Sequence, residues 1–291
     1  MVTEAHPPAA YEAACCALLD GLTAAFQALQ HPGCVRLIGP VVPGATMTFG
    51  ARVPGTSYQL DPVQAAFSFG TMIGWLDQCD TSLASGALHP AHMLGALLPV
   101  ADYQARKALA EGSPPGSVHD LLTALLDAHA WQCGAAGTAQ GDASAVRCDA
   151  VRAAGAATVA SMLGATQAQL MTTLGHAARE ASAACASEAS HRWWLGDASS
   201  RGVRIALIAL AESPAEHAPS STARTVRTAP TARPVLSLEQ AAVMRIRERF
   251  CTSVTAHFPG GQATRIMALF TDFERLRASS INEMVSLTVH N

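Results

Sequence analysis

The chain has 291 residues, of which 49% are hydrophobic and only 5% aromatic. Alanine dominates the apolar fraction, which is typical of helices packed closely through small side chains, so we predict an all-α fold. The net charge is −3 and Lys107 is the only lysine, which leaves no basic field to attract nucleic acid or an acidic membrane surface. We find no apolar run long enough to span a bilayer and no signal peptide in residues 1–8, and therefore expect a soluble, cytoplasmic protein.

The eight cysteines show neither a Cys-x-x-Cys pair nor the Cys/His spacing of a zinc site. We interpret them as reduced thiols that fill the core, and we expect no metal site. Cys79 lies between Asp77 and Asp80, whose charges would raise the pKa of its thiol, so a nucleophilic role is disfavoured.

Apolar spacing and capping residues predict helices along most of the chain. The first covers about Tyr11–Gln30, and an irregular stretch with short β-branched pieces follows over residues 34–60. Asp61-Pro62 then begins a helix that runs towards Asp77. Further helices are predicted over residues 92–111, 121–133, 203–210, 237–257 and 263–273. In addition, a helix of small residues ends at about residue 163, another runs from 166 to about 185, and a short final helix begins at 280.

The stretch from Asp77 to His89 is the best candidate for catalysis. If the last turn of the preceding helix includes Asp77, Asp80 and Thr81, their spacing places all three on one face. Two carboxylates that close cannot both ionise freely, so one should hold its proton to higher pH, as a proton-transfer site requires. His89 follows in a His-Pro dipeptide. The alternative is a helix end with solvated acids, which is common for so short a pattern.

The composition changes after Glu212. Residues 213–234 are rich in Pro, Ser, Thr, Ala and Arg and contain no large aliphatic residue except Val226, so they cannot bury enough surface to order themselves. We therefore predict an N-terminal helical part over 1–212, a flexible linker over 213–234 and a C-terminal helical part over 235–291.

Long motifs stand on both sides of this linker. They include Gly50-Ala-Arg-Val-Pro-Gly-Thr-Ser-Tyr58, Asp80-Thr81 with His89-Pro90, and Gly196-Asp-Ala-Ser-Ser-Arg-Gly-Val-Arg204. In these motifs the chain resembles the MmgE/PrpD family. The resemblance implies an all-α domain built from the N- and C-terminal parts of the chain, an inserted α/β lid domain, and a homodimer. Because only the predicted linker stands at the insertion point, we expect a form without the lid.

The resemblance also implies cofactor-free elimination, or loss of CO₂, on small tricarboxylates. Asp77, Thr81 and His89 match active-site positions of the family, and Asp80 lies beside them. We therefore predict these four residues as catalytic.

Other positions depart from the family pattern. After His-Pro the family usually has Ser-Asp-Asn, whereas this chain places His92 at the middle position. A family lysine falls on His191 or Arg192, and a family histidine near Arg147 is absent. An arginine can clamp a carboxylate but cannot shuttle a proton, whereas a histidine can. We predict that His92, His191 and Arg192 bind substrate.

Two functions remain open. The first is a lyase, isomerase or cyclase that acts on a small carboxylated or polyketide-like substrate, and the retained Asp/Asp/Thr/His group favours it. The second is a non-catalytic, dimeric scaffold or accessory protein, which the missing lid and the altered site positions favour.

Overall fold

The computed structural model describes residues 6–85, 88–138, 143–180, 192–212 and 238–290. Within these ranges the regular structure is helical apart from one antiparallel hairpin, β1 (Ala51–Arg52) with β2 (Gln59–Leu60), which confirms the predicted all-α fold. The helices are α1 Pro8–Ala28, α2 Pro32–Val35, α3 Pro62–Gly74, α4 Leu94–Ala110, α5 Val118–Thr138, α6 Ala143–Met162, α7 Gln167–Glu180, α8 Trp194–Glu212, α9 Gln240–His257, α10 Gly260–Phe270, α11 Phe273–Ala278 and α12 Ile281–Leu287. Two short 3-10 turns cover Thr81–Leu83 and Pro90–Met93.

Helix starts that rest on local capping agree with the sequence. The carboxylate of Asp61 accepts the N–H groups of Val63 and Gln64 at 3.0 and 3.1 Å, as an N-cap should. The predicted capping box at Thr166 and Gln169 also forms, with both reciprocal bonds in place. The boundaries are less accurate: α8 begins nine residues before the predicted start, and the helix predicted over 263–273 ends at Phe270.

Three helices cross through glycines at the centre of the fold. A Cβ on Gly70 in α3 would lie 2.9 Å from the Cα of Gly196 in α8, and a Cβ on Gly95 in α4 would lie 2.9 Å from the Cα of Gly70. Backbones this close leave no room for a side chain. The small-residue composition therefore sets how tightly α3, α4 and α8 pack.

Residues 238–290 complete the core that the earlier helices leave open. Helix α9 packs on α1, and the backbone at 279–281 bonds to that at 116–118 through Val118 N–H to Ser279 O and Ile281 N–H to Gly116 O, both at 2.9 Å. Buried side chains from both parts form one continuous hydrophobic cluster. The predicted linker over 213–234 lies outside the described residues.

Helix α1 is long and apolar enough, by length and composition, to cross a membrane, although our sequence analysis found no such run. Its residues are almost all buried against α3, α5 and α9, as in the core helix of a globular protein. It also places Asp20 inside the protein, where it is 1% exposed. The seven cysteines in the described ranges are free thiols, and Cys185 lies outside those ranges.

Candidate active site

The chain leaves α3 before it reaches the predicted catalytic residues. Helix α3 ends at Gly74, and Asp77 has φ 49°, which turns the backbone away from the helical path. Asp80 instead caps the short turn over 81–83. Asp77, Asp80 and Thr81 therefore do not share a helix face, and that expectation was wrong. Asp77 and Thr81 are exposed, whereas Asp80 is buried.

Asp80 forms a bidentate ion pair with Arg245 of α9. The Nε and Nη2 atoms of Arg245 lie 2.8 and 3.0 Å from the two carboxylate oxygens, and the N–H of Ser82 donates to Oδ1 at 3.0 Å. The Arg245 guanidinium holds the pKa of Asp80 well below its usual range. Asp80 is consequently ionised near neutral pH and cannot donate a proton there. Since the Arg245 side chain is 49% exposed, solvent screens the pair and limits what it adds to stability.

The carboxyl group that approaches Asp80 is Asp20, which we did not predict as a site residue. Its Oδ2 accepts the backbone N–H of Asp80 at 2.7 Å, and its Oδ1 lies 3.4 Å from Nη1 of Arg249. Burial raises the pKa of Asp20 to about 6, against the lowering effect of these donors. Two neighbouring carboxyl groups with pKa values shifted in opposite directions therefore exist, as the sequence suggested. The one that keeps its proton to higher pH is Asp20 on α1.

His89 is buried, with both ring nitrogens engaged by the protein. Its Nδ1 accepts the N–H of Ala91 at 3.1 Å, so the proton lies on Nε2, which donates to the carbonyl of Asp80 at 3.1 Å. The same Nε2 lies 3.5 Å from Oδ2 of Asp20. Burial lowers the pKa of His89 to about 4. His89 is thus neutral and holds the turn in place, and its catalytic role stays a prediction.

The three predicted substrate-binding residues lie in different settings. His92 is buried, its ring is edge-on to Trp194 at 5.5 Å, and burial lowers its pKa well below the usual value. Its Nδ1 has no hydrogen-bond partner within the described part of the chain. Arg192 is exposed, with Nη1 3.5 Å from the carbonyl of Trp75. His191 lies outside the described residues.

The solvent-facing part of the site combines one carboxylate with two arginines. Nη1 of Arg147 lies 3.4 and 3.3 Å from the two carboxylate oxygens of Asp77, and its guanidinium stacks over Trp194 at 4.2 Å. Arg192 lies over the ring of Trp75, 5.6 Å from its centroid. Both arginines thus contact the end of α3, where they can pair with a carboxylated ligand.

Asp20, Cys79 and His89 bring three potential metal ligands within 4.8 Å of one another. Their lone pairs are already committed: Nε2 of His89 carries a proton, and Oδ2 of Asp20 accepts the Asp80 N–H. Burial raises the pKa of the Cys79 thiol well above its usual value, so the thiol keeps its proton. The cluster bonds to itself and does not fit a metal ion without rearrangement.

Four residues around this site were missed or given no role by the sequence analysis. Three had a visible signal: Asp20 is a charge inside an apolar helix, and Arg245 and Arg249 are spaced i, i+4 on one helix face. Arg147 stands close to where the family histidine is absent, but nothing local pairs it with Asp77, 70 residues earlier.

Comparison with known proteins identifies the family of this chain. The model of the MmgE/PrpD N-terminal domain matches residues 2–226. The chain is 41% identical to the 2-methylcitrate dehydratase of Escherichia coli (strain K12) over 207 residues, which are 69% of this chain and 43% of that protein. It is 38% identical to the mitochondrial 2-methylcitrate dehydratase of Yarrowia lipolytica over 210 residues, 68% of this chain and 40% of the relative. It is 34% identical to the alkylcitrate dehydratase phiI of a fungal species over 210 residues, 68% and 42% of the two chains.

The chain thus spans less than half the length of these relatives. The family match nevertheless covers most of the chain and includes all seven residues that we predicted at the site. The chain belongs to the MmgE/PrpD family.

Proposed function

We propose that the protein is a cofactor-free lyase that removes water from a small, citrate-like carboxylate by acid–base chemistry. The family membership and the names of the relatives, which are dehydratases of 2-methylcitrate and alkylcitrate, support a lyase over an isomerase or cyclase. Arg192, which is exposed, and Arg147, which is half-buried, lie just beyond α3 and would supply the cations that such a substrate requires.

The observation that carries this proposal is the conformation of Asp77. A non-glycine residue at φ 49° is uncommon and strained, and such strain concentrates at functional sites. Its carboxylate is exposed and faces Arg147, whereas the carboxylates of Asp80 and Asp20 are buried. Asp77 is therefore the acid in this cluster that a substrate can reach.

In the proposed reaction Asp77 takes a proton from the carbon beside a substrate carboxylate, and the C–H electron pair forms the new double bond. The hydroxyl on the neighbouring carbon leaves as water after it receives that proton. Arg147 or Arg192 holds the carboxylate, which also stabilises the charge that develops on it. The exposed hydroxyl of Thr81 orients the substrate.

The test is turnover of 2-methylcitrate, citrate and longer alkylcitrates, followed by the ultraviolet absorbance of the unsaturated product. Asp77→Asn is nearly isosteric and should lower kcat by about 10²–10⁴-fold without loss of fold. Arg147→Gln should mainly raise KM, because a guanidinium that binds a carboxylate acts in ground and transition states alike. Glu248→Gln, at an exposed acid on α9, is the matched control and should leave both constants unchanged.

A scaffold function is the second candidate, because Asp80 and His89 are buried and bonded within the protein. It predicts no turnover and no rise in melting temperature with any of these carboxylates. That combined result would contradict the lyase proposal, whereas turnover that survives in Asp77→Asn would move the chemistry to another residue.

A further inference from the structure

The backbone between Asp77 and Thr81 is held by side chains from two distant helices. We call residues 77–82 the site segment. Three side chains from other parts of the chain form hydrogen bonds with its backbone. One comes from α1, one from α9, and the third is His89, which precedes the turn at 90–93. These bonds are Asp80 N–H to Asp20 Oδ2 at 2.7 Å, Arg249 Nη2 to Gln78 O at 2.9 Å, and His89 Nε2 to Asp80 O at 3.1 Å.

Asp20 and Arg249 act on this segment as a pair. Nη1 of Arg249 lies 3.4 Å from Oδ1 of Asp20, while the other end of each side chain bonds to the segment backbone, at Gln78 and at Asp80. The Asp20 side chain is 1% exposed and that of Arg249 is 31% exposed, so the pair is largely shielded from water. A buried charge that loses its partner is strongly unfavourable, so the two groups hold each other in place.

We propose that Asp20 and Arg249 are positioning residues of the candidate active site, which hold the backbone at Asp80 and Gln78 so that the exposed Asp77 and Thr81 keep their catalytic geometry. The catalytic half of this inference rests on the proposed function. Both exposed groups lie within one residue of a bonded backbone atom, and a misplacement of about 1 Å is enough to cost about 10²-fold in rate.

The charge on Asp20 makes this arrangement sensitive to pH. Because burial raises the pKa of Asp20 to about 6, the carboxylate that pairs with Arg249 is lost below that pH. The charged or titratable groups that face Asp20 come from its own helix, from the site segment and the turn after it, and from α9: Cys16, Cys79, Asp80, His89, Arg245 and Arg249. Of these, His89 is neutral and Asp80 ionised at pH 6, so Asp20 is the group among them that titrates there.

Cys79 provides a readout that does not depend on turnover. It is half-buried inside the site segment, and its alkylation by iodoacetamide, measured per peptide by mass spectrometry, reports how often the segment opens. Buried Cys34 on α2 serves as an internal reference for global unfolding. Asp20→Asn and Arg249→Gln should each raise the Cys79 rate relative to Cys34 by at least about tenfold.

Thiol chemistry alone cannot produce that pattern. The Asp20 charge raises the pKa of Cys79 and the Arg249 charge lowers it, so the two substitutions change the thiolate fraction in opposite directions. A rise in both variants therefore reports access. Arg247→Gln is the matched control, because Arg247 lies on the same helix but stacks on Phe273 at 4.1 Å, and it should leave the ratio unchanged.

Two alkylation results would overturn the inference: an unchanged ratio in Asp20→Asn and Arg249→Gln, or an equal rise at Cys34, which would show global unfolding. If the wild type turns over a carboxylate, both variants should lower kcat at least tenfold and leave KM within about twofold. The fall in wild-type kcat below about pH 6 should be absent in Asp20→Asn. The inference would also be overturned if Asp20→Asn and Arg249→Gln raised the alkylation rate of Cys79 but left kcat unchanged. An inactive wild type would count against the proposed function, and Cys79 would still decide whether the pair holds the segment.

Discussion

Replacement of His89 by asparagine should remove one cause of the loss of folding stability as pH falls. Asn Oδ1 can replace Nδ1 as the acceptor for Ala91 N–H, so the cap is retained while the titrating ring is removed. His89 has a pKa of about 4 in the folded protein against 6.5 for the free side chain. The neutral ring therefore contributes to the unfolding free energy above pH 6.5, and this contribution is lost as pH falls towards 4.

The size of the effect follows from linkage. Between about pH 8 and pH 5 the unfolded chain gains almost one proton at this position and the folded protein almost none, which costs the wild type about 2 kcal/mol. Asp20 works in the opposite direction, because its raised pKa of about 6 makes the folded state gain the proton first, which adds about 1 kcal/mol over the same range. Between pH 8 and pH 5 the unfolding free energy should therefore fall by about 2 kcal/mol less in His89→Asn than in the wild type, and by about 1 kcal/mol more in Asp20→Asn.

The assay is urea denaturation at several pH values, with the slope of the unfolding free energy compared between variants. Leu83→Val, at a buried and non-titrating position in the turn over 81–83, should lower stability equally at every pH. Equal slopes for His89→Asn and the wild type would refute the reasoning, since they would show that His89 is protonated equally easily in the folded protein and in the unfolded chain.

Three further predictions concern packing and assembly. Gly196→Ala should lower the melting temperature, because the new Cβ would overlap the α3 backbone at a cost of about 1–3 kcal/mol or more. The control is Gly175→Ala on α7, where a new Cβ would have no atom within 4 Å and should be neutral or stabilising; equal effects of the two substitutions would contradict the tight helix crossing. Asp102→Ala should cost about 3–5 kcal/mol in chemical denaturation, because it leaves the charge of Arg52 without its buried partner, and a change below about 1 kcal/mol would contradict this. We also expect a homodimer, since several large apolar side chains are exposed over residues 35–49, and light scattering that gives the monomer mass at micromolar concentration would contradict it.

Features set by a few neighbouring residues could be predicted from the sequence. Asp61 caps α3, and Thr166 pairs with Gln169, because the groups that satisfy each other are two or three residues apart. The all-α fold follows in the same way, from the local spacing of apolar residues repeated along the chain.

The candidate site depends on contacts that no local pattern contains. Asp80 bonds to Asp20 and to Arg245, which are 60 and 165 residues away, and these partners decide which carboxyl group holds a proton. The end of α3 was misplaced because its apolar pattern continues to Leu76, whereas the helix ends at Gly74 and the chain turns at Asp77 with a positive φ of 49°. The spacing of apolar residues does not reveal such a turn.

The pairing of α1 with α9 also bears on how the chain is made. The bond from Ser253 Oγ to Thr23 O joins residues that are 230 apart in sequence. At about 5–20 residues per second, the ribosome needs roughly 10–50 s to span that distance, and α1 lacks its α9 cover throughout. A nascent chain would therefore expose this long apolar helix for many times longer than a helix takes to form. The newly made protein should depend on chaperones that hold apolar segments, and refolding from denaturant should be slowed by this late, long-range contact.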